Sequence, residues 1–450
     1  MPLTLEEKRM TPKASPTQND RSPLILGIDL GTSGIRGALI DTQTRQPIAF
    51  YAVPLALPIR NANTSEQSPE LWLEGFELLL RKIQNAQQTA FIEHIILDAT
   101  SSTVCLVNAD YQPVSMALMY DDKRATAEAQ LIAKIAPRNS GAHGASSTLA
   151  KVMWLYENTP HSESFFVCHQ IDFINVFLTG LPQITDANNA LKMGFDPINM
   201  VWPDWISQLL PTITLPKVVL PGDFLGQIQP GLVEKYGFSS KTKVYAGTTD
   251  SIAAFLASGA HQLGDAVTSL GSTLALKLIT EKPIFAPEYG IYSHRLKNQW
   301  LVGGASNTGG AVLLKHFDLE ALIEHLKKIP ERPQNTHLDY YPLLCQGERF
   351  PISDPCFQGN LDPIPDNPET FLLGLIEGLV SVEKLGYQRL TELGASPVTR
   401  IFTAGGGLKN RVWMTLRSQE LSAPVLQSLH TEAAFGVTQL LEIQSFNDQT

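Results

Sequence analysis

The run LILGIDLGTSGIRGALID, residues 24–41, confines the chain more than any other stretch. An apolar segment runs into Asp29, breaks at Gly31 and resumes through Ala38, Leu39 and Ile40. Two flanks of buried-strand character about a Gly-Thr-Ser-Gly turn read as an antiparallel hairpin. A carboxylate inside such a hairpin costs free energy unless something uses it. The pattern returns at 265–280, DAVTSLGSTLALKLIT. Gly271 falls on Gly31, Ser272 on Thr32, and Ser269 stands where Asp29 stood. A hairpin repeated about 240 residues later suggests two related halves, with the acid kept only in the first.

Strand and helix patterns alternate along the chain, which predicts an α/β fold. PELWLEGFELLLRKIQNA, from Pro69, has helical spacing of its apolar residues. IEHIILDA reads as a strand entering the loop TSST, and VCLVNA as the strand after it. STLAKVMWLYEN reads as an amphipathic helix, and the Pro- and Trp-rich 199–223 as a surface crossover. A length of 450 residues accommodates two or three domains.

Hydrophobic residues at 43% and a formal net charge of -10 describe a soluble globular protein. The acidic balance argues against nucleic acid and anionic membrane as partners. No apolar run reaches the roughly 18 residues of a membrane span. Cys105, Cys168, Cys345 and Cys356 are scattered with no CxxC pair, as free thiols in a reducing compartment would be. Residues 1–22 are polar and read as an N-terminal extension without ordered structure. Glu6, Glu7 and Asp20 argue against a transit peptide, so the cytoplasm is expected first and a plastid second. Monomer and homodimer both remain open.

A tight turn of Gly, Thr and Ser offers backbone N–H groups and short hydroxyls to a phosphate. Thr32 and Ser33 in the first turn, with Gly271, Ser272 and Thr273 in the second, would grip a nucleotide from both sides. Ordinary hairpins explain the same residues. IFTAGGGLKNRVWMTLRSQEL, residues 401–421, adds a strand, Gly405 to Gly407, and a helix. Asn410 and Trp413 share a face of that helix, one to bond a base and the other to pack on it. The alternative for Trp413 is core filling. SNTGGAVLLKH, residues 306–316, brings Gly309 and Gly310 into another helix entry that could face the same ligand. VYAGTTDSIAAFLASGA, residues 244–260, places Asp250 where a strand gives way to an apolar helix. There it is either a helix N-cap worth about 1 kcal/mol or a base that accepts a hydroxyl proton. Phosphoryl transfer needs a positioned acceptor, a base, a metal and donors around the phosphate.

Taken in order, these segments resemble the FGGY carbohydrate kinases of the actin-like, hexokinase-like ATPase superfamily. IDLGTSGIR is similar to their first phosphate loop, AGTTDS to their catalytic-base segment, SLGST to their second phosphate loop and AGGGLKN to their adenosine loop. SSTLAKVMWLYE around Lys151 and Trp154, MYDDKRA with Tyr120 in place of Trp, and IDFINVFLTG followed by TDANNALKMGFD also fit the family's order. The resemblance implies two ribonuclease H-like lobes with an ATP- and sugar-binding cleft between them. The sugar-binding lobe would span 23–258, the ATP-binding lobe 259–431, and a helix from about 432 to 450 would return to the first lobe. It implies ATP and Mg2+ as cofactors, Asp250 as catalytic base, and Asp29 and Asp250 as sugar contacts, Asp29 holding the metal through water. Thr32, Ser33, Gly271, Ser272, Thr273, Gly309 and Gly310 would face the phosphates, and Gly405, Gly406, Asn410 and Trp413 the adenosine.

One segment departs from the family. DATSSTVC, residues 98–105, stands where many relatives carry Ser-Gly-Gln, so Ser101 or Ser102 is left to contact the sugar. The short loop resembles a cyanobacterial and plant xylulose kinase-like subgroup, which implies D-ribulose ahead of D-xylulose, with ribitol or glycerol as alternatives. Filament proteins and chaperones on the same core would carry polymer contacts or an added peptide-binding domain. A sensor that only binds sugar or nucleotide has no need of both Asp29 and Asp250.

Overall fold

The computed structural model describes residues 22–160 and 165–441. Residues 1–21 of the expected extension at 1–22, and the end of the chain from 442, lie outside the described residues. Two six-stranded sheets form the frame of two lobes. Across the first run Phe224–Gln227, Lys243–Thr249, Ile92–Ala99, Leu24–Leu30, Gly34–Asp41 and Pro47–Pro54. Across the second run His294–Leu296, Gln299–Ala305, Leu274–Thr280, Asp265–Leu270, Arg400–Ala404 and Val425–Gln427. In each, an antiparallel meander is followed by a strand parallel to its first member. This repeated mixed-sheet topology is the two-lobed ribonuclease H-like fold that the resemblance implied, with the two related halves suggested by the repeated hairpin.

The strand Leu24–Leu30 is buried at every position because both faces of its sheet are covered. On one face lies the helix Pro69–Asn85, which turns Trp72, Phe76, Leu79, Leu80 and Ile83 inward. Trp72 satisfies its indole N–H on Gln67 at 2.7 Å. On the other face lie the helices Asp250–Ala257 and Ala433–Gly436. Here backbone meets backbone. A Cβ added at Gly27 would stand 1.9 Å from the Ala434 carbonyl oxygen, and one at Gly436 would stand 1.9 Å from that of Ala253. The C-terminal helix therefore rests on the first lobe's central strand.

The crossover at 199–223 is more ordered than its Pro and Trp content predicts. It holds the helix Asp204–Leu209 and the strand Lys217–Val219, which pairs in parallel with Ile184–Asp186. Trp202 and Trp205 pack half-buried against the core beneath them. VCLVNA contributes Val104–Val107 to a separate five-stranded sheet, so the TSST loop links two sheets. No helix among the described residues is long and apolar enough to cross a membrane.

The second lobe is tied internally by a buried ion pair. Arg417 Nε and Nη2 donate to the two carboxylate oxygens of Glu383 at 2.7 and 2.8 Å, and Nη1 donates to Thr403 at 2.6 Å. Thr268 donates to the same carboxylate at 2.6 Å. The network joins the helices Pro368–Glu392 and Arg411–Glu420 to the sheet. Removing one partner strands a buried charge. Arg417→Met should therefore lose about 3–5 kcal/mol in urea denaturation, and a loss within the range of a surface substitution would contradict this reading.

Candidate active site

The chemistry gathers where strand ends lie side by side. Asp29 is in register with Asp98 on the neighbouring parallel strand, and Asp98 with Thr248 on the next. Two residues beyond Thr248 the chain turns into a helix with Asp250 as its first residue. Three acids thus converge in one region of the cleft. Thr249, not Asp250, occupies the N-cap position, so the capping role does not explain Asp250.

Asp29 is 7% exposed. Arg36, its partner across the hairpin, donates to it at 2.9 Å. Burial still holds the Asp29 carboxyl above its ordinary value, against the pull of Arg36. Asp250 Oδ1 accepts the Ser251 N–H at 2.6 Å. Burial raises its pKa, the Ser251 bond opposes that, Asp29 adds to it, and Lys277 and Lys192 oppose it. A carboxylate raised in this way accepts a proton more readily than a surface aspartate.

Asp98 was not picked out from the sequence. It is fully buried, and neither oxygen receives a hydrogen bond from a donor among the described residues. Burial, then the charges of Asp29 and Asp250, push its acid well above the usual carboxylate range. The signal was present: IEHIILDA, like LILGID, is an apolar strand ending at a lone acid.

The two turns close alike. Gly31 N–H donates to the Gly34 carbonyl at 3.0 Å, and Gly271 N–H to the Thr273 carbonyl at 3.3 Å. Ser33, Ser272 and Thr273 are exposed, and Thr32 partly so. Gly309 and Gly310 pack directly on the second turn. Gly310 N–H donates to the Gly271 carbonyl at 2.9 Å, and a Cβ at Gly309 would stand 2.5 Å from the Ser272 carbonyl oxygen. Gly405, at φ +90, approaches Leu270 just before that turn, while Gly406 opens on free space. These glycine segments pack together around the second turn.

Two expectations need correction. Trp413 is 1% exposed and belongs to the second lobe's core, so its ring is not open to stack on a base. It lies beneath Gly407 and Gly310 instead. Asn410 accepts the Trp413 N–H at 3.1 Å and caps the helix Arg411–Glu420. Ser102 is fully buried with φ +66, which turns it into the protein. Its hydroxyl accepts from Thr148 at 3.2 Å and its carbonyl from Lys151 Nζ at 2.6 Å. Ser101 stays partly exposed. Lys151 also donates to the Met119 carbonyl at 2.8 Å, so the SSTLAKVMWLYE helix fastens the TSST loop to the MYDDKRA segment. Burial pushes that lysine down to about 7.

Lys192, in the turn Leu191–Met193, and Lys277, in the strand Leu274–Thr280, approach Asp250 from different lobes. Burial lowers both ammonium groups, Lys277 to about 8. No group of three or more His, Cys, Asp or Glu among the described residues is placed to hold a metal by itself. Asp29 beside the first turn fits magnesium only in the manner of nucleotide sites, where one or two carboxylates share it with phosphates.

Residues 24–257 match the N-terminal domain of the FGGY family of carbohydrate kinases, and residues 266–440 match its C-terminal domain. The chain belongs to this family and is an ATP-dependent carbohydrate kinase. It is 25% identical over 434 residues to a xylulose kinase of Bacillus subtilis, covering 90% of this chain and 84% of that one. It is 23% identical over 443 residues to a gluconokinase of the same organism, covering 89% and 83%. The solved xylulose kinase of Rhodospirillum rubrum superposes with a TM-score of 0.79 at 20% identity, over 94% of this chain and 90% of that one.

The raised Asp98 acid gives a sign to test. A carboxyl whose pKa is higher folded than unfolded favours folding at low pH, and that advantage falls away as pH rises above the unfolded value of about 4. Asp98→Asn keeps the shape without the charge. Its calorimetric Tm should gain on the parent as pH rises from 4 towards 7, and a pH-independent difference would contradict the assignment.

Proposed function

We propose that the acceptor is a ketopentose, D-ribulose ahead of D-xylulose, and that Asp250 takes the proton from the hydroxyl receiving the phosphoryl group. The observation that carries this reading is the convergence of Asp250 with Asp29 at buried strand ends, beside two exposed Gly-Ser/Thr turns. Ser101, partly exposed in the short TSST loop, adds a hydroxyl contact on the first lobe. The relatives named xylulose kinase favour a pentose, and the gluconokinase keeps a sugar acid as the alternative.

In this reading the first lobe, 23–258, binds sugar and the second, 259–431, binds ATP. Thr32, Ser33, Gly271, Ser272, Thr273, Gly309 and Gly310 hold the phosphates by backbone N–H groups and hydroxyls. Gly405, Gly406 and Asn410 border the adenosine, with Trp413 supporting them from below. Asp29 holds magnesium with the nucleotide and steadies the sugar. Bound magnesium supplies charge neutralisation on the transferred phosphate. Closure of the lobes excludes water that would otherwise take the phosphoryl group.

ADP release from Mg-ATP against D-ribulose, L-ribulose, D-xylulose, ribitol, glycerol, gluconate and no sugar tests the acceptor. D-ribulose should give the largest stimulation, with the phosphorylated sugar as product. Stimulation by gluconate or glycerol alone would overturn the ketopentose reading. Asp250→Ala should abolish sugar phosphorylation with ATP binding retained, and equal loss of both would refute its role as base.

A further inference from the structure

The first lobe is short of acceptor contacts. Ser102 is turned into the protein, and the TSST loop carries neither Gln nor His. The second lobe has what is missing. Along Leu274–Thr280, Leu274, Leu276 and Leu278 enter that lobe's own core. Ile279, on the opposite face, joins the cluster shared with Ala253, Phe255 and Phe435. Lys277 shares the face of Ile279 and is therefore turned towards the first lobe.

A cavity of about 190 Å³ opens on that face. Ala275 and Gly303 give it little side-chain bulk, and Lys277, Tyr292 and His294 line it with polar groups. A Cβ at Gly303 would stand 2.4 Å from the Leu276 carbonyl oxygen and 3.0 Å from Lys277 Cγ, so glycine there is required by the close strand pairing and leaves no side chain over the lysine stem. Lys277 Nζ donates to the carbonyl of Ser251, the residue after Asp250, which fixes the ammonium beside the base. No ion pair takes up its remaining donors among the described residues. Burial, then Lys277 and Lys192, hold His294 down to about 3, so it is a neutral imidazole with one donor and one acceptor nitrogen.

We propose that this trough is the second half of the acceptor site, in which Lys277 and His294 hydrogen-bond the carbonyl and hydroxyl oxygens of a short polyhydroxy ketone whose reacting hydroxyl lies at Asp250. The proposal rests on the ketopentose reading and extends it. Recognition that the TSST loop does not supply comes from the opposite lobe. An acceptor spanning Asp250 and Lys277 touches both lobes at once.

The test compares the parent with Lys277→Met, Lys277→Arg, His294→Leu and Lys384→Met. Steady-state KM values for D-ribulose and ATP are measured, together with calorimetric titration of D-ribulose without nucleotide. Lys384 is an exposed lysine on the far helix, paired with Glu420 at 3.6 Å, and its variant should match the parent. Lys277→Met should weaken D-ribulose by about 10- to 100-fold in both KM and Kd, with the ATP KM within about twofold of the parent. Lys277→Arg should recover part of the loss. His294→Leu should move the same ratio in the same direction, and it decides the matter if Lys277→Met does not fold. An unchanged D-ribulose KM, or an ATP KM rising in proportion, would overturn the proposal while parental turnover of D-ribulose leaves the ketopentose reading standing. A parent enzyme indifferent to every ketopentose would sink that reading and this proposal together.

Discussion

Buried carboxylates at the ends of apolar strands are the constraint on which this structure turns. Asp29 and Asp98 lie in register on adjacent strands, and Asp250 begins the helix after the third. An uncompensated buried charge costs several kcal/mol. The compensation is spread widely. Arg36 comes from the first hairpin, the Ser251 N–H from the helix start, Lys192 from the segment before the crossover and Lys277 from the other lobe. Asp98 receives no donor among the described residues, and burial pushes its acid well above the usual carboxylate range. Of these groups only Lys277 comes from the second lobe, so part of the compensation crosses the cleft.

Close backbone packing makes that convergence possible. Gly27 lies two residues before Asp29 and admits the carbonyl of Ala434, while Gly436 admits that of Ala253 in the helix that begins with Asp250. The C-terminal helix is thus wedged between the elements that carry two of the acids. On the second lobe, Gly309 and Gly405 let two further segments press against the hairpin turn at 270–273. Larger residues at these positions would push apart the parts that must meet.

Much of this was legible in the sequence. Apolar runs broken by Gly-Thr/Ser turns gave both hairpins. The change from strand to helical period at Asp250 put it at a strand–helix junction, while its place in the cleft and the return of the helix after about 432 came from the family resemblance and not from spacing. What was missed has physical reasons. Asp98 carries the same signature as Asp29, but an acid at a strand end does not reveal from sequence that it is fully buried. Ser102 turns inward through a positive φ that a Ser-Ser sequence does not announce. Asn410 and Trp413 share a helix face by spacing, yet spacing does not say which way that face turns, and packing turned the tryptophan into the core. Lys277 lies in the other lobe's sheet, and only the placement of one lobe against the other brings its ammonium to Ser251, beside Asp250.

The most direct measurement is a crystal structure of the protein with magnesium, a non-hydrolysable ATP analogue and D-ribulose. The nucleotide phosphates should lie between the turns at 31–34 and 271–273, with one sugar hydroxyl within hydrogen-bond distance of Asp250 and in line with the γ-phosphorus. A nucleotide bound away from those turns, or a sugar with no hydroxyl at Asp250, would contradict the claim that the buried acids and the paired turns form one phosphoryl-transfer site.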